Sequence, residues 1–183
     1  TISNSKAEEA TSSFLYIYAD ARGTAMGGAQ GTMTGDVYSL YWNPAGLSKV
    51  LFKEIGATYH RIFQGLNYSF IGYASPSDYY GTIAGQIFFL GSGPITTTYE
   101  NLDGSLAGAG GSFSVNDLGI GISQAKAITK NVSYGISLKL ISHRIMNESA
   151  FALAGDIGFI YQPLVEELKF GAVLQNFSTT YKF

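Results

Sequence analysis

The stretch 132-VSYGISLKL-140 decides the fold of this chain of 183 residues. Large apolar residues occupy every second position of the stretch, and serine, glycine and Lys139 fill the positions between them. Successive side chains of a β-strand point to opposite faces of a sheet. This period of two therefore predicts a strand with one apolar face and one small or polar face.

The following stretch, 150–162, repeats the pattern. Alanine, glycine and Asp156 alternate there with four large apolar residues, namely Phe151, Leu153, Ile157 and Phe159. A soluble antiparallel sheet buries its large side chains and carries strong charge on the other face, whereas the only charges here are one lysine and one aspartate. We therefore predict an all-β fold, an antiparallel transmembrane β-barrel whose apolar face meets lipid. A soluble all-β domain is the alternative.

The composition fits these two classes. Charged residues make up 13% of the chain, about half of the ~25% that is usual in soluble domains. No apolar run approaches the ~18 residues of a membrane-spanning helix. A net charge of −2 with 11 scattered lysines and arginines argues against a nucleic-acid interface. Because residues 1–13 are polar, we expect any signal peptide to have been removed from this numbering.

Seven segments have the periodicity of strands: Glu54–Phe63, Leu66–Ser75, Gly81–Leu90, Ser112–Ala125, Asn131–Ile145, Ala150–Gln162 and Leu168–Asn176. Most of them reach the ~9–11 residues that a tilted strand needs to cross a bilayer. In the fourth segment, Phe113 and Val115 are out of phase with Leu118, which predicts a β-bulge at Asn116-Asp117.

The longest connection, Gly91–Gly111, predicts how the strands are oriented. If the chain enters the barrel from the periplasm, this connection lies outside the cell, where such barrels carry their long loops. Its glycine, serine and threonine content predicts a mobile loop. The loop either binds a partner or merely connects two strands.

Lys139 and Asp156 allow a sharper prediction. A lysine at the lipid midplane costs about 2–4 kcal/mol, so Lys139 should face the interior of the barrel. A two-residue turn at Asn147-Glu148 places Lys139 opposite Asp156 and Leu138 opposite Ile157, and a longer turn would shift the pairing by at most one pair. We therefore predict an ion pair in the lumen, which either grips an element inside the barrel or simply satisfies its own charges.

The N-terminal segment 21-ARGTAMGGAQGTMTGDVYSLYWNPAG-46 is too short to be a domain and too apolar to remain in water. Asp36 is placed to cap the first amides of a short helix. Pro44 disfavours helical geometry at Asn43 and should end that helix there. The segment is therefore predicted to be a compact plug that needs a cavity.

This segment closely resembles the N-terminal signature of the PorV/PorQ family, bacterial outer-membrane proteins related to the fatty-acid transporter FadL. The residues that carry the resemblance are Arg22, Ala25-Met26-Gly27-Gly28-Ala29, Asp36 and Trp42-Asn43-Pro44-Ala45-Gly46-Leu47. The resemblance covers most of the chain, from about Phe14 to Asn176, and continues through Asn67-Tyr68, Phe113–Ala125, Phe151-Ala152-Leu153, Asp156-Ile157-Gly158 and Gly171–Asn176.

The resemblance implies that residues 21–46 form a hatch inside the barrel. The chain then divides into an N-terminal segment with the hatch, 1–53, and transmembrane strands, 54–183. The hatch residues are Arg22, Met26, Gly27, Gly28, Asp36, Trp42, Asn43 and Pro44. The members of this family are much longer chains, and the resemblance implies about fourteen strands. Barrels of this kind have an even number of strands, so seven strands correspond to half a barrel. Either the chain is truncated, or it is part of a larger protein, or Tyr181-Lys182-Phe183 is a true C-terminal assembly signal.

No catalytic or metal-binding pattern accompanies these features. The chain has two histidines, His60 and His143, and no cysteine, in no spacing typical of metal ligands or of a catalytic triad. We therefore expect a non-enzyme without cofactor or metal. The resemblance implies an outer-membrane component or adaptor of type IX-like protein secretion, in contact with lipid and with other membrane or secreted proteins. The alternatives are FadL-like transport of small hydrophobic molecules and a structural role in an envelope complex.

Overall fold

The computed structural model describes residues 13–33, 35–62, 65–100, 106–146, 148–163 and 168–179. The predictions made for residues 1–12, for Phe63, for Asn147 and for Tyr181-Lys182-Phe183 lie outside these ranges. None of the helices in the described part of the chain is both long and apolar enough to cross a membrane.

The alternation of small and large residues produces nine β-strands in these ranges. They are β1 (Glu54–Arg61), β2 (Asn67–Ser77), β3 (Gly81–Gly91), β4 (Ile95–Glu100), β5 (Leu106–Phe113), β6 (Val115–Ala127), β7 (Val132–Ile145), β8 (Glu148–Tyr161) and β9 (Phe170–Ser178). Seven of them form one antiparallel sheet in the order β1-β2-β3-β6-β7-β8-β9, and β4 pairs with β5 in a separate hairpin. The seven predicted strands are confirmed. Among the described residues, the sheet is open and has β1 and β9 at its edges.

The two faces of the seven-stranded sheet carry different side chains. On the outer face, rows of large apolar side chains are exposed, as Ile136, Leu138 and Leu140 are in β7. On the inner face, the side chains are mostly small or polar and are buried, as Ser133 and Ser137 are in the same strand. This arrangement follows the period of two in the sequence.

The N-terminal segment consists of short helical turns that pack on the inner face. They are a 3₁₀ helix (Ser13–Tyr16), helix α1 (Ala21–Ala25), helix α2 (Ser39–Trp42) and a second 3₁₀ helix (Pro44–Lys49). The apolar side chains of Val37, Leu40 and Leu47 are completely buried. These side chains form one core cluster with Tyr68, Phe70, Phe88 and Ile141 of the inner face.

Glycine residues on the inner face let the backbone of the hatch approach the sheet. A Cβ atom added to Gly135 of β7 would overlap the backbone of Pro44 and Ala45, and one added to Gly158 of β8 would overlap the side chain of Asn43. Any larger residue at these two positions would push the hatch away from the wall.

The start of α2 differs from the prediction. The helix begins at Ser39 rather than at Asp36, and no side chain caps its first turn. The Asp36 carboxylate forms an ion pair with Arg22 instead, and this cationic partner takes the place of the backbone amides. The predicted end is confirmed, because α2 stops at Asn43, whose side chain accepts a hydrogen bond from Ala45 N at 3.1 Å.

The region between β3 and β6 also differs from the prediction. The bulge predicted at Asn116-Asp117 is wrong, since β6 pairs through these residues with both neighbouring strands in unbroken register. Phe113 belongs to β5, so its phase is independent of β6. The connection Gly91–Gly111, predicted as a loop, contains β4 and most of β5. Its run of β-branched residues, Ile95–Thr98, has the composition of a strand.

The pairing of β7 with β8 is displaced from the predicted register. Glu148 pairs with Ile145, so it is the first residue of β8 and not part of the turn. Lys139 therefore faces Ala154, and Asp156 lies diagonal to Lys139. The displacement keeps every residue on its predicted face.

Replacing Gly135 by alanine should destabilise the protein, because the added methyl group overlaps the backbone of the hatch. Overpacking of this kind costs roughly 1–3 kcal/mol. Fluorescence of Trp42, the one tryptophan in the sequence, measures the free energy of unfolding and reports on the hatch directly. Gly85→Ala is the matched control, since its Cβ would meet only Gly121 O, at 3.8 Å. Equal losses in both variants would contradict this packing.

Candidate functional site

Asp20, at the start of α1, is the centre of the hydrogen bonding inside the hatch. Its carboxylate accepts from the backbone N–H of Gly23 at 3.0 Å, which caps α1, and from Trp42 Nε1 at 2.7 Å. Gln30 donates to the same carboxylate at 3.3 Å. Asp20 is buried, so these three donors replace the water that the carboxylate has lost. The bonds tie α1, α2 and the loop between them into one unit.

Arg22 connects this cluster to the outside of the hatch. It forms the ion pair with Asp36, and its Nε donates to the side chain of Gln30 at 3.3 Å. The Arg22 side chain is 45% exposed, and ion pairs at such positions contribute only about 0–1 kcal/mol. The structure thus brings together two of the sequence-predicted residues at the surface of the hatch.

The turn after α1 accounts for the paired glycines. Gly27 and Gly28 have φ angles of 61° and 85°, a left-handed conformation that glycine adopts without steric cost. The absence of a side chain at Gly28 also leaves room for the ring of Tyr18, which lies 4.9 Å from the ring of Trp42. Met26 is exposed and stands apart from this buried cluster.

Asn43 fastens the hatch to the sheet. Its Nδ2 donates to Gly31 O at 2.8 Å and to Phe159 O of β8 at 3.4 Å, while its Oδ1 accepts from Ala45 N. Asn43 and the adjacent Pro44 are fully buried. The amino group and the oxygen of the side-chain amide therefore both have hydrogen-bond partners, and the bond to Phe159 O joins the hatch to the sheet.

Two side chains of the sheet reach back to the hatch. Gln175 of β9 donates from Nε2 to the backbone oxygens of Tyr41 and Trp42, at 2.6 and 3.0 Å. Glu54 of β1 accepts from the N–H of Val37 at 3.1 Å. The hatch is thus bonded to both edge strands. Burial also raises the pKa of Tyr41 well above its ordinary value, so the phenol stays neutral beside these contacts.

The predicted pair of Lys139 and Asp156 is present on the inner face. Lys139 Nζ lies 2.6 Å from Asp156 Oδ2, and the two side chains are 5% and 0% exposed. Asn176 completes the cluster, since its Oδ1 accepts from Lys139 Nζ at 2.8 Å and its N–H donates to Asp156 Oδ1 at 2.8 Å. Asn176 has a φ of 55° at a register shift between β8 and β9. These bonds offset part of the cost of burying two charges.

Sequence reasoning missed a second set of polar contacts along the inner wall. Asp117 of β6 contacts His143, which lies directly opposite it in β7. The hydroxyl groups of Ser123 and Ser137 lie 2.7 Å apart, and Gln86 of β3 is buried on the same face. The alternation places all five residues inward, but only the register of the strands shows which of them are neighbours.

Asp20 and Gln175 were missed as well. Asp20 carried a detectable signal, because an aspartate before a short helix is a typical N-cap. The partners of Gln175 lie more than 130 residues away in the sequence, at Tyr41 and Trp42, and no local pattern announces such a contact.

A comparison of the sequence with protein-family models found no match, and a comparison with curated proteins found none. Within the described ranges, no group of three or more His, Cys, Asp or Glu side chains is arranged to hold a metal ion. The polar side chains described above hydrogen-bond the hatch internally and to the sheet, and they pair the buried charges. The resemblance to PorV/PorQ rests on the sequence motifs alone.

Replacing Lys139 by methionine should strongly destabilise the protein, because Asp156 would keep a buried charge without a cation. Breaking a buried ion pair in this way costs about 3–5 kcal/mol. The double variant Lys139→Met/Asp156→Asn should recover most of the loss, since it removes both charges and keeps an acceptor for the N–H of Asn176. Unfolding followed by Trp42 fluorescence measures each variant.

Lys130→Met is the control for the loss of one positive charge. Lys130 is exposed in the turn between β6 and β7, and such surface substitutions stay within about 0.5 kcal/mol. If Lys139→Met were equally neutral, or if the double variant were as unstable as the single one, the buried pair would not be coupled.

Proposed function

We propose that this chain forms part of an outer-membrane β-barrel of the PorV/PorQ type, a non-enzymatic component or adaptor of protein secretion of the type IX kind. The observation that carries the proposal is the inverted placement of side chains: large apolar ones such as Leu138 point away from the core, and charged ones such as Lys139 are buried with the hatch. Such a distribution suits a wall with hydrocarbon on one side and an internal plug on the other.

The height of the apolar outer face supports the proposal. In β8, every outward position from Phe151 to Tyr161 is apolar, aromatic or glycine. Ten residue steps of about 3.3 Å cover about 33 Å along the strand. A tilt of about 40° reduces this to about 25 Å, the height of the apolar band of such barrels. Soluble monomers rarely expose a continuous apolar surface of this size.

Polar and aromatic residues bound this apolar band at both ends. On β6 and β7, the outward rows pass into Gln124, Lys126 and Tyr134 at one end, and into Ser142 and Arg144 at the other. Tyrosine and basic side chains are typical of the two interfaces of a membrane.

The hatch favours an adaptor over a transporter of small apolar molecules. FadL-like transport requires an apolar passage beside Trp42 and Asn43. Both side chains are buried and hydrogen-bonded, and the inner wall carries the charged pair of Lys139 and Asp156. A hatch bonded in this way stabilises a wall more readily than it opens an apolar tunnel.

The hairpin of β4 and β5 is the candidate contact surface for a partner protein. It stands apart from the seven-stranded sheet, on the end of the barrel that the sequence predicts to be extracellular. An extended peptide can add to the edge of such a hairpin by main-chain hydrogen bonds. This position is the one that an adaptor receiving secreted proteins would use.

Leu138→Lys should impair insertion into lipid vesicles by about 2–4 kcal/mol, because it places a charge at the middle of the apolar band. In a soluble domain the same exposed position would tolerate lysine within about 0.5 kcal/mol. Urea-dependent folding into vesicles, followed by Trp42 fluorescence, measures the difference. Ser142→Lys is the matched control on the same face of β7, at the edge of the band, and should cost less than about 1 kcal/mol. Wild-type protein that stays in the aqueous phase would contradict the membrane assignment.

Replacing residues 95–112 by a short Gly-Ser link should abolish the capture of secreted partner proteins, because it removes the hairpin. Insertion and Trp42 fluorescence should remain unchanged, since the hairpin does not pair with the sheet among the described strands. Co-purification of secreted proteins with each form measures capture. Unchanged capture would exclude the adaptor role and leave the structural role in an envelope complex.

A further inference from the structure

An apolar groove crosses the outer face over β6, next to Gly85 of β3, and is called the Gly85 groove below. The groove has a volume of about 300 Å³, and its apolar walls are Ile83, Ile122, Ile136 and Leu138. Gly85 pairs with Ile122, and an added Cβ would meet only a backbone oxygen, at 3.8 Å. A side chain at position 85 would therefore have room to extend outward beside Ile122, at the wall of the groove.

One end of this Gly85 groove is polar and positively charged. Gln124 lines the groove, and Lys126 lies two residues further along the same face of β6, about 7 Å away. Lys126 Nζ donates to Tyr79 O at 2.9 Å, and Gln124 Nε2 donates to Tyr80 O at 2.8 Å. The two tyrosines are exposed and pack edge to face, with ring centroids 4.7 Å apart.

The charge on Lys126 is available to an anion. An ammonium group has three donors, and the structure shows one of them occupied by Tyr79 O. Lys130 adds a second exposed positive charge in the turn that follows β6. The acidic residue nearest in sequence to the two tyrosines is Asp78, in the same turn as they are. An anionic group at this end would therefore meet a cation next to the apolar groove.

We propose that the Gly85 groove binds one phospholipid, with an acyl chain between the isoleucines and with the phosphate on Lys126. This inference rests on the proposed function, because it requires the outer face to lie in a bilayer. The ligand must combine a flexible apolar chain with an anionic head, since the groove joins an aliphatic slot to a lysine and a pair of interfacial tyrosines. A water-soluble phosphate fits only one end of it.

Native mass spectrometry of the full chain, inserted into delipidated detergent micelles, tests the proposal. The probes are dioleoyl phosphatidylglycerol, a diacylglycerol with the same acyl chains, and inorganic phosphate. We expect one phosphatidylglycerol to be retained per protein, and neither of the other two probes. Lys126→Gln should weaken retention about fivefold, the effect of one basic residue at an anionic lipid surface. Gly85→Leu should abolish retention, because a leucine beside Ile122 would extend over the slot and compete with the acyl chain.

Matched controls separate the site from general effects of charge and size. Arg144→Gln removes one positive charge at the opposite end of β7, and Ala172→Leu adds a leucine at an exposed position of β9; both should retain the lipid as the wild type does. Trp42 fluorescence checks that each variant is folded.

The outcomes distinguish this inference from the proposed function. If the protein enters bilayers but Lys126→Gln and Gly85→Leu retain phosphatidylglycerol like their controls, the groove is not a lipid site and the barrel assignment stands. Retention of diacylglycerol as tight as that of phosphatidylglycerol would likewise overturn the role of Lys126. If the protein does not enter bilayers at all, the proposed function fails, and the lipid site fails with it.

Discussion

The close approach of the hatch backbone to glycines of the inner wall is the contact on which the rest of the structure depends. The sheet turns its large side chains outward, and its inner face is too poor in apolar bulk to form a core alone. Val37, Leu40 and Leu47 of the N-terminal segment complete a core with the few large side chains of that face, Tyr68, Phe70, Phe88 and Ile141. They reach the strands because Gly135 leaves room for the backbone of Pro44 and Ala45, and Gly158 for the side chain of Asn43.

Buried polar groups impose the second constraint. A wall packed against a hatch excludes water, so each charge between them needs a partner. The Lys139–Asp156–Asn176 cluster lies where β8 and β9 shift their register, between Gly155 and Ile157. Buried ion pairs add little net stability, but breaking them is costly. In this chain we therefore assign such a cluster the role of selecting one strand register among several apolar alternatives.

The strands and their faces were predictable because the period of two is a local property of the chain. The register was not. The pairing that follows from a turn at Asn147-Glu148 and the observed pairing, in which Ile145 faces Glu148, differ by an even number of residues. Both pairings therefore put Lys139 and Asp156 on the same face, and the alternation does not distinguish them. Capping shows a similar limit: Asp36 precedes a short helix, as Asp20 does, but its carboxylate pairs with Arg22 and does not cap. The Gly91–Gly111 connection hides a hairpin because its glycines suggest a loop more strongly than its threonines suggest a strand.

The bonds from the hatch to both edge strands require the sheet to curve. Seven strands about 4.8 Å apart would place β1 and β9 about 29 Å from each other in a flat sheet. Yet Glu54 of β1 bonds to Val37, and Gln175 of β9 bonds to Trp42. The five residue steps from Val37 to Trp42 cover only about 8 Å, the two side chains together add about 10 Å, and the two hydrogen bonds, of 3.1 and 3.0 Å, leave the total below the flat distance. The wall must therefore bend around the hatch, so that the plug which fills the inner face also sets the distance between the edges of the sheet.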